Sequence, residues 1–513
     1  MAPTLEYLSA SDFLPHLSGK VALLKSDLNV PIASDGRTIE DTFRITQAAP
    51  FIRKVIEAGV IPVIATHLGR PKSFDPAKPD WYNPKDSLDV IVEPLSNAIG
   101  RKVRIIRIDP ATGNYFPDQL NRDYLKSLFD HGKVPMLDKI RYHSDEQVKK
   151  EGDGLKLARD LADVVDVSFQ IGFGAAHRIE ATSSVIHEFV PGFAGDLFVQ
   201  EIEGHRAIKK PNKDYIVIVG GDKDKVQDSL DIIRGLLRAQ TTTHRSNVSD
   251  FSLNLRIRDP LVKYILVGGH LMHAFVYTQI RMFADTNLKA LQPELRKEYS
   301  GLMGIKLGGY EPTESEISTA NGLLWYNNCH QYRDMAEGKP IANRDRKIII
   351  PVDYMVLRDG AAIDSVPMHK LLDGDIIVDI GTKTRELYSK IISGATTIVW
   401  NGPMGVDDNK YVAGTRAIID AIHANDRAVK STGGGSTMLV TNAYEAELRA
   451  LNPGATLNVG HRSTGGGSTL EEIAFESPVA LSLMFSLQKL LQGGYGPKYE
   501  YLRTPAIRMM QQR

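Results

Sequence analysis

Short apolar runs followed by polar or glycine-rich turns recur along the chain, at 21–24, 61–65, 216–219, 265–267, 348–350, 376–378 and 397–400. Between them lie stretches with helical periodicity. In residues 45–55, for example, Ile45, Ala48, Ala49, Ile52 and Val55 line one face in spite of Pro50. Parallel neighbours need a long crossover between them, so runs of this length alternating with helical stretches predict an α/β fold with parallel sheets. In such sheets ligands collect beyond the carboxyl ends of the strands, where loops meet helix N-termini. The turns after the runs are therefore where chemistry is sought.

Residues 192–213 combine helix formers and charge, and run through Lys209-Lys210-Pro211-Asn212 into a fresh strand. This is the pattern of a connector between two domains. Two polar stretches, 240–259 and 285–301, read as surface insertions without a chemical motif.

Composition narrows the functional classes. Of 513 residues 42% are hydrophobic and 24% charged, ordinary values for a globular protein, and 62 basic residues balance 62 acidic ones. A whole-molecule attraction to nucleic acid or to a membrane surface is excluded, so anion binding has to come from a local cluster. Cys329 is the single cysteine. An internal disulfide framework and a cysteine metal cluster are ruled out, and a reducing compartment is expected. No run approaches the ~18 apolar residues of a membrane span. The expected location is cytoplasmic. The chain ends Gln511-Gln512-Arg513 and not in a peroxisome-type Ser-Lys-Leu, which leaves open import into an organelle by another signal.

Polar clusters follow the early runs: Lys25-Ser26-Asp27-Leu28-Asn29-Val30-Pro31, His67-Leu68-Gly69-Arg70-Pro71, Asp138-Lys139-Ile140-Arg141-Tyr142 and Gly172-Phe173-Gly174-Ala175-Ala176-His177-Arg178. Arg44 opens the helical stripe. Arg44, Arg70, Arg141, Arg178, His67 and His177 thus all stand beside turns. Each alone reads as a surface charge or a cap. Together they offer several planar forks to a multiply charged small anion, since a guanidinium stays charged and donates two parallel hydrogen bonds.

These clusters, joined by Trp400-Asn401-Gly402-Pro403-Met404-Gly405-Val406, resemble the phosphoglycerate kinase family in content, order and spacing from about residue 20 to 472. The resemblance implies two Rossmann-like three-layer α/β/α domains with parallel sheets joined by a hinge helix. The expected division is a phosphoglycerate-binding domain at 1–195, a connector helix at 196–214, a nucleotide-binding domain at 215–475, and a segment at 476–513 that returns to the first domain and adds a tail. It further implies reversible phosphoryl transfer between ATP and 3-phosphoglycerate. Asp27, Asn29, Arg44, His67, Arg70, Arg141 and Arg178, with His177 beside them, would hold the acid or a similar small anion. Arg44 would also stabilise the transferring phosphoryl group.

For the second half the resemblance implies a site for ATP or ADP with Mg2+. It is carried by Gly220, Gly221, Lys223, Gly268, Gly269, Asn401, Pro403, Asp408 (in place of a ribose-binding glutamate), Gly433, Gly434, Gly435, Ser436 and Thr437. Lys223 and Lys225 would be the catalytic lysines. Lys225 matches the family's second lysine only across a two-residue deletion, because Gln227 holds the direct position. His270 places an imidazole where the family has a third glycine beside adenine. Ser436 replaces the magnesium-serving aspartate, and its hydroxyl is the only metal ligand left there, shorter and uncharged. In the first half Gln170-Ile171 replaces an Asn-Asp pair.

Ser-Thr-Gly-Gly-Gly-Ser-Thr occurs at 431–437 and again at 463–469, each copy followed by an apolar helical run, so two helix N-termini are expected. Two functions stay open on the residues alone. One is a phosphotransferase of lowered activity. The other is a catalytically inactive relative that keeps the acid site and serves as sensor, scaffold or assembly subunit.

Overall fold

The computed structural model describes residues 7–33, 35–69, 87–148, 150, 152–175, 178–208, 214–237, 239–242, 254–257, 262–284, 300–302, 305–324, 347–406, 410–474 and 478–512. Two units form, residues 1–203 with 476–513, and residues 204–475. The boundary falls within the helix Asp196–Ile208.

In the first unit, strands β1 (Val21–Lys25), β2 (Ile61–Ala65), β3 (Lys102–Ile106), β4 (Lys133–Leu137), β5 (Val167–Gln170) and β6 (Gly192–Ala194) make one parallel sheet in the order β3-β4-β2-β1-β5-β6. Successive side chains leave a strand on opposite faces, and both faces here are covered. Ala22 and Leu24 enter a core built with the helices Phe43–Glu57 and Asp89–Ile99, whereas Val21 and Leu23 enter the opposite core with Arg122–Asp130 and Leu155–Ala162. The unbroken apolar runs follow from burial on both sides. The predicted stripe is the buried face of Phe43–Glu57, with Pro50 accommodated inside the helix. The C-terminal helices Pro478–Leu491 and Glu500–Gln512 complete the first of these cores through Leu487, Leu490 and Leu502.

The second unit holds β7 (Tyr215–Val219), β8 (Ala239–Thr242), β9 (Asn254–Ile257), β10 (Tyr264–Val267), β11 (Ile348–Ile349), β12 (Asp353–Arg358), β13 (Ala361–Pro367), β14 (Ile376–Ile380), β15 (Thr397–Asn401), β16 (Val429–Gly433) and β17 (His461–Ser463). Six of them form a parallel sheet, β11-β10-β7-β15-β16-β17. The run at 376–378 does not join it. It lies in a separate antiparallel sheet, β13-β12-β14, whose hairpin turns at Asp359-Gly360, both with positive φ. β8 and β9, within the stretch read as a surface insertion, pair as an antiparallel hairpin. Most of the other stretch, 285–301, lies outside the described residues. No helix among the described residues is long and apolar enough to cross a membrane.

Strand order reverses between β1 and β5 in the first sheet and between β7 and β15 in the second. Crevices open at the carboxyl ends of such strand pairs because the connections diverge to either side.

Candidate functional site

In the first unit the loops after β1 and β2 are sewn together. Thr66 Oγ1 accepts from the Leu28 N–H at 3.1 Å, and Asn29 Oδ1 accepts from the Gly69 N–H at 2.7 Å. Arg44, in the first turn of its helix, reaches this loop. Its Nη1 donates to Asp27 Oδ1 and to the Asn29 carbonyl, both at 2.9 Å. Asp27, Asn29, Arg44 and the His67 loop thus form one hydrogen-bonded assembly around the end of β1.

Arg141 sits on the turn Ile140–Tyr142 after β4, which is tied to the β2 loop by the Ile140 N–H donating to the Thr66 carbonyl at 3.3 Å. Its guanidinium is buried against Glu180, Nε and Nη2 both donating to Oε1 at 3.2 and 3.0 Å. Lys25, the last residue of β1, lies 2.7 Å from Glu146 and 2.8 Å from Glu180. Glu146 in turn accepts from the Thr182 hydroxyl at 2.6 Å and the Thr182 N–H. Burial by itself would raise the Glu180 carboxyl, but Lys25 and Arg141 outweigh it and hold the group at about 2. Burial would lower the Lys25 ammonium, yet its two carboxylates leave it raised.

His67 is buried, and its Nδ1 has no hydrogen-bond partner among the described residues. Burial, then the Arg141 charge, keep its imidazole well below the usual histidine range, so it is neutral at pH 7. Arg178 is exposed, two residues before Glu180. Arg70 and His177 lie outside the described residues. Glu146 and Glu180 are additions to the residues singled out from sequence, and Lys25, named there only as the start of a polar cluster, gains a role. The one signal for Lys25 was a charge closing an otherwise apolar strand, and nothing local marked the two glutamates.

In the second unit the turns after β7, β10, β15 and β16 nest together. The Gly220 N–H donates to the Asn401 carbonyl at 2.9 Å, Gly268 N–H to Val219, Gly269 N–H to Met404, and His270 N–H to Gly221. A Cβ at Gly220 would lie 2.0 Å from the Pro403 carbonyl oxygen, so only glycine admits this approach of β7 to β15. Gly434, at φ +100°, brings its Cα against Asn401, where a Cβ would meet Oδ1 at 2.3 Å. The helix Gly435–Leu451 starts next, with Ser436 half-buried and the Thr437 hydroxyl accepting from the Gly402 N–H at 2.7 Å. Gly220, Gly221, Gly268, Gly269, Asn401, Pro403 and 433–437 are therefore neighbours.

The second Ser-Thr-Gly-Gly-Gly-Ser-Thr copy likewise leads from β17 into the helix Gly467–Ala474, with its third glycine as first helical residue in both copies. Lys223 and Lys225 stand exposed on the turn Lys223–Lys225, Lys225 at 3.6 Å from Asp222. Asp408 is outside the described residues.

His270 packs its ring 5.3 Å from Tyr310 and 5.8 Å from His273, with Nδ1 3.3 Å from the Gly221 carbonyl. Burial lowers its pKa. The first turn of Gly435–Leu451 contains no acidic residue. With the Thr437 hydroxyl already engaged, the donors at this helix start do not fit a firmly held magnesium ion, which prefers carboxylate oxygen.

Fold and loops define the class: an open-sheet α/β protein of two units, each carrying its polar or glycine-rich loops at the carboxyl ends of a parallel sheet. The chain belongs to the phosphoglycerate kinase family, whose model matches residues 11–243 and 323–474. The phosphoglycerate kinase of Rhodococcus erythropolis is 31% identical over 468 residues, spanning 89% of this chain and 93% of its own. The glycosomal phosphoglycerate kinase of Leishmania mexicana is 28% identical over 471 residues, 89% of this chain and 81% of that protein. Among solved structures, phosphoglycerate kinase from Pyrococcus horikoshii superposes with a TM-score of 0.65 at 24% identity, covering 94% of this chain and all of that one. That likeness concerns the fold.

Proposed function

We infer that this chain binds 3-phosphoglycerate or a closely similar phosphorylated acid in its first unit, and exchanges a phosphoryl group between ATP and that acid at a reduced rate. The observation that carries this reading is Arg44, whose guanidinium is fixed by Asp27 and the Asn29 carbonyl at 2.9 Å in front of the His67 loop. A cation held in place before the ligand arrives needs no reorganisation to meet developing negative charge. Asn29 fixes the facing loop through Gly69, and neutral His67 offers a hydrogen bond without adding charge.

The reduced rate rests on the second unit. The helix start at Gly435 supplies backbone N–H groups suited to phosphate oxygens, but Ser436 brings no carboxylate. The donors there do not favour magnesium, and the role is confined to holding a phosphate. A catalytically inactive member that retains the acid site is the second reading, favoured by the same serine and by the His270 ring lying against Gly221.

Calorimetric titration with 3-phosphoglycerate and with magnesium-ADP, followed by a coupled turnover assay, separates them. Acid binding with slow turnover that Arg44→Ala lowers by roughly a further hundredfold is the expected result. Acid binding without turnover at saturating magnesium-ATP establishes the inactive reading, and absence of acid binding overturns both.

A further inference from the structure

Three basic side chains of the first unit's cluster already face carboxylates. Lys25 and Arg141 face Glu146 and Glu180, Arg44 faces Asp27, and His67 is neutral. An incoming acid that uses the Arg141 fork would therefore meet a guanidinium already engaged by a carboxylate. The two glutamates are not equivalent. Glu146 is anchored by the Thr182 hydroxyl and N–H as well as by Lys25, whereas the Glu180 side chain rests on Lys25 and Arg141. It also sits just after the exposed Arg178 and Ile179, at a place where the chain emerges to solvent.

We propose that Glu180 is an internal counter-anion that competes with the incoming acid for Arg141, and so determines both the affinity of the site and its preference for strongly charged ligands. This rests on the reading of the first unit as a phosphorylated-acid site. The geometry supports competition because Glu180 takes both Nε and Nη2 of Arg141, one edge of the guanidinium, with charge-assisted bonds of the strength a ligand oxygen would make. Protonation does not release it in the physiological range, since Lys25 and Arg141 keep the carboxyl at about 2 against the effect of burial. Another anion has to displace it. Lys25 retains Glu146 when that happens, so the buried lysine stays paired.

The test is calorimetric titration of the full chain with 3-phosphoglycerate and, separately, inorganic phosphate. Glu180→Gln keeps the shape and removes the competing charge, and should bind 3-phosphoglycerate about tenfold tighter or more, the size of one charge-assisted hydrogen bond. Glu180→Asp should stay near the parent affinity, and Arg141→Met should erase the gain when added to Glu180→Gln. A folded Glu180→Gln protein with equal or weaker affinity overturns the proposal. Should that variant fail to fold, a crystal structure of the parent chain with 3-phosphoglycerate decides. Loss of the Arg141–Glu180 contacts supports competition, and their retention beside bound acid overturns it. The two readings fail separately: binding without a gain in Glu180→Gln removes this proposal alone, whereas no binding by any variant removes the acid site and the proposal together.

Discussion

Ser436 carries a neutral hydroxyl where a carboxylate would serve the metal, and that difference is testable by itself. Ser436→Asp restores a carboxylate at the second residue of the helix Gly435–Leu451, where the N-terminal partial charge also favours an anion. Magnesium-ADP affinity is expected to rise by about tenfold or more, read by calorimetry with and without the metal. An unchanged affinity shifts attention to His270, whose ring lies against Gly221 and Tyr310. Arg44→Ala, in contrast, removes a preorganised charge from the first unit. Turnover should fall by roughly a hundredfold, as for other single electrostatic donors. A fall below tenfold would mean that Arg44 serves mainly to hold Asp27 and the β1 loop. The residue types for these roles were readable from the chain, but their partners were not. Glu180 pairs with Arg141 across 39 positions and Lys25 with Glu146 across 121, and no local pattern encodes either pairing.

At the scale of elements, the strongest signals were those in which one strand satisfies two cores. Ala22 and Leu24 serve one layer and Val21 and Leu23 the other, which makes the sequence apolar without interruption. The two repeated Ser-Thr-Gly-Gly-Gly-Ser-Thr segments behave alike because both must turn from a parallel strand into a helix. The antiparallel sheet β13-β12-β14 was not distinguished from the parallel one, since a short apolar run does not state its direction. The Asp359-Gly360 turn was the available clue, a dipeptide suited to a two-residue hairpin.

The C-terminal helices also show an element's dependence on distant partners. Leu502 of Glu500–Gln512 is fully buried in the core it shares with Phe43–Glu57. Leu502→Ala should destabilise the protein by about 2–5 kcal/mol, the range for a buried leucine cut to alanine. Chemical denaturation measures it, and a loss under about 1 kcal/mol would show that the helix adds little to that core.

For the molecule as a whole, the first unit gathers both ends of the chain, and a buried histidine lies at their junction. His187 Nδ1 is 2.9 Å from the Ser482 hydroxyl, the Tyr495 hydroxyl donates to its carbonyl, and the Gly192 N–H donates to Ser486 nearby. Burial pushes the His187 imidazole down to about 3, so the folded state prefers the neutral ring. The sign follows directly. The folded pKa lies below the unfolded one, so the contribution is fully present above about pH 6.5 and is lost progressively as pH falls toward 3. His67 and His273, both lowered by burial, act in the same sense. Melting temperature should therefore drop on acidification from pH 7 to pH 4, and His187→Gln should flatten part of that slope. An equally steep acid limb in the variant would remove His187 from the account.

What the sequence by itself determined is the set of things that local rules encode: strands from apolar runs, helix starts from glycine turns, and the residue types of an acid site with family order and spacing. The tertiary structure decided how those charges are spent. Arg44 is presented by Asp27, Arg141 is held by Glu180, and Lys25 is shared between two glutamates. The physical reason is that the energy of a buried charge depends on neighbours brought in from far along the chain, and those neighbours exist only once the sheet has closed around them.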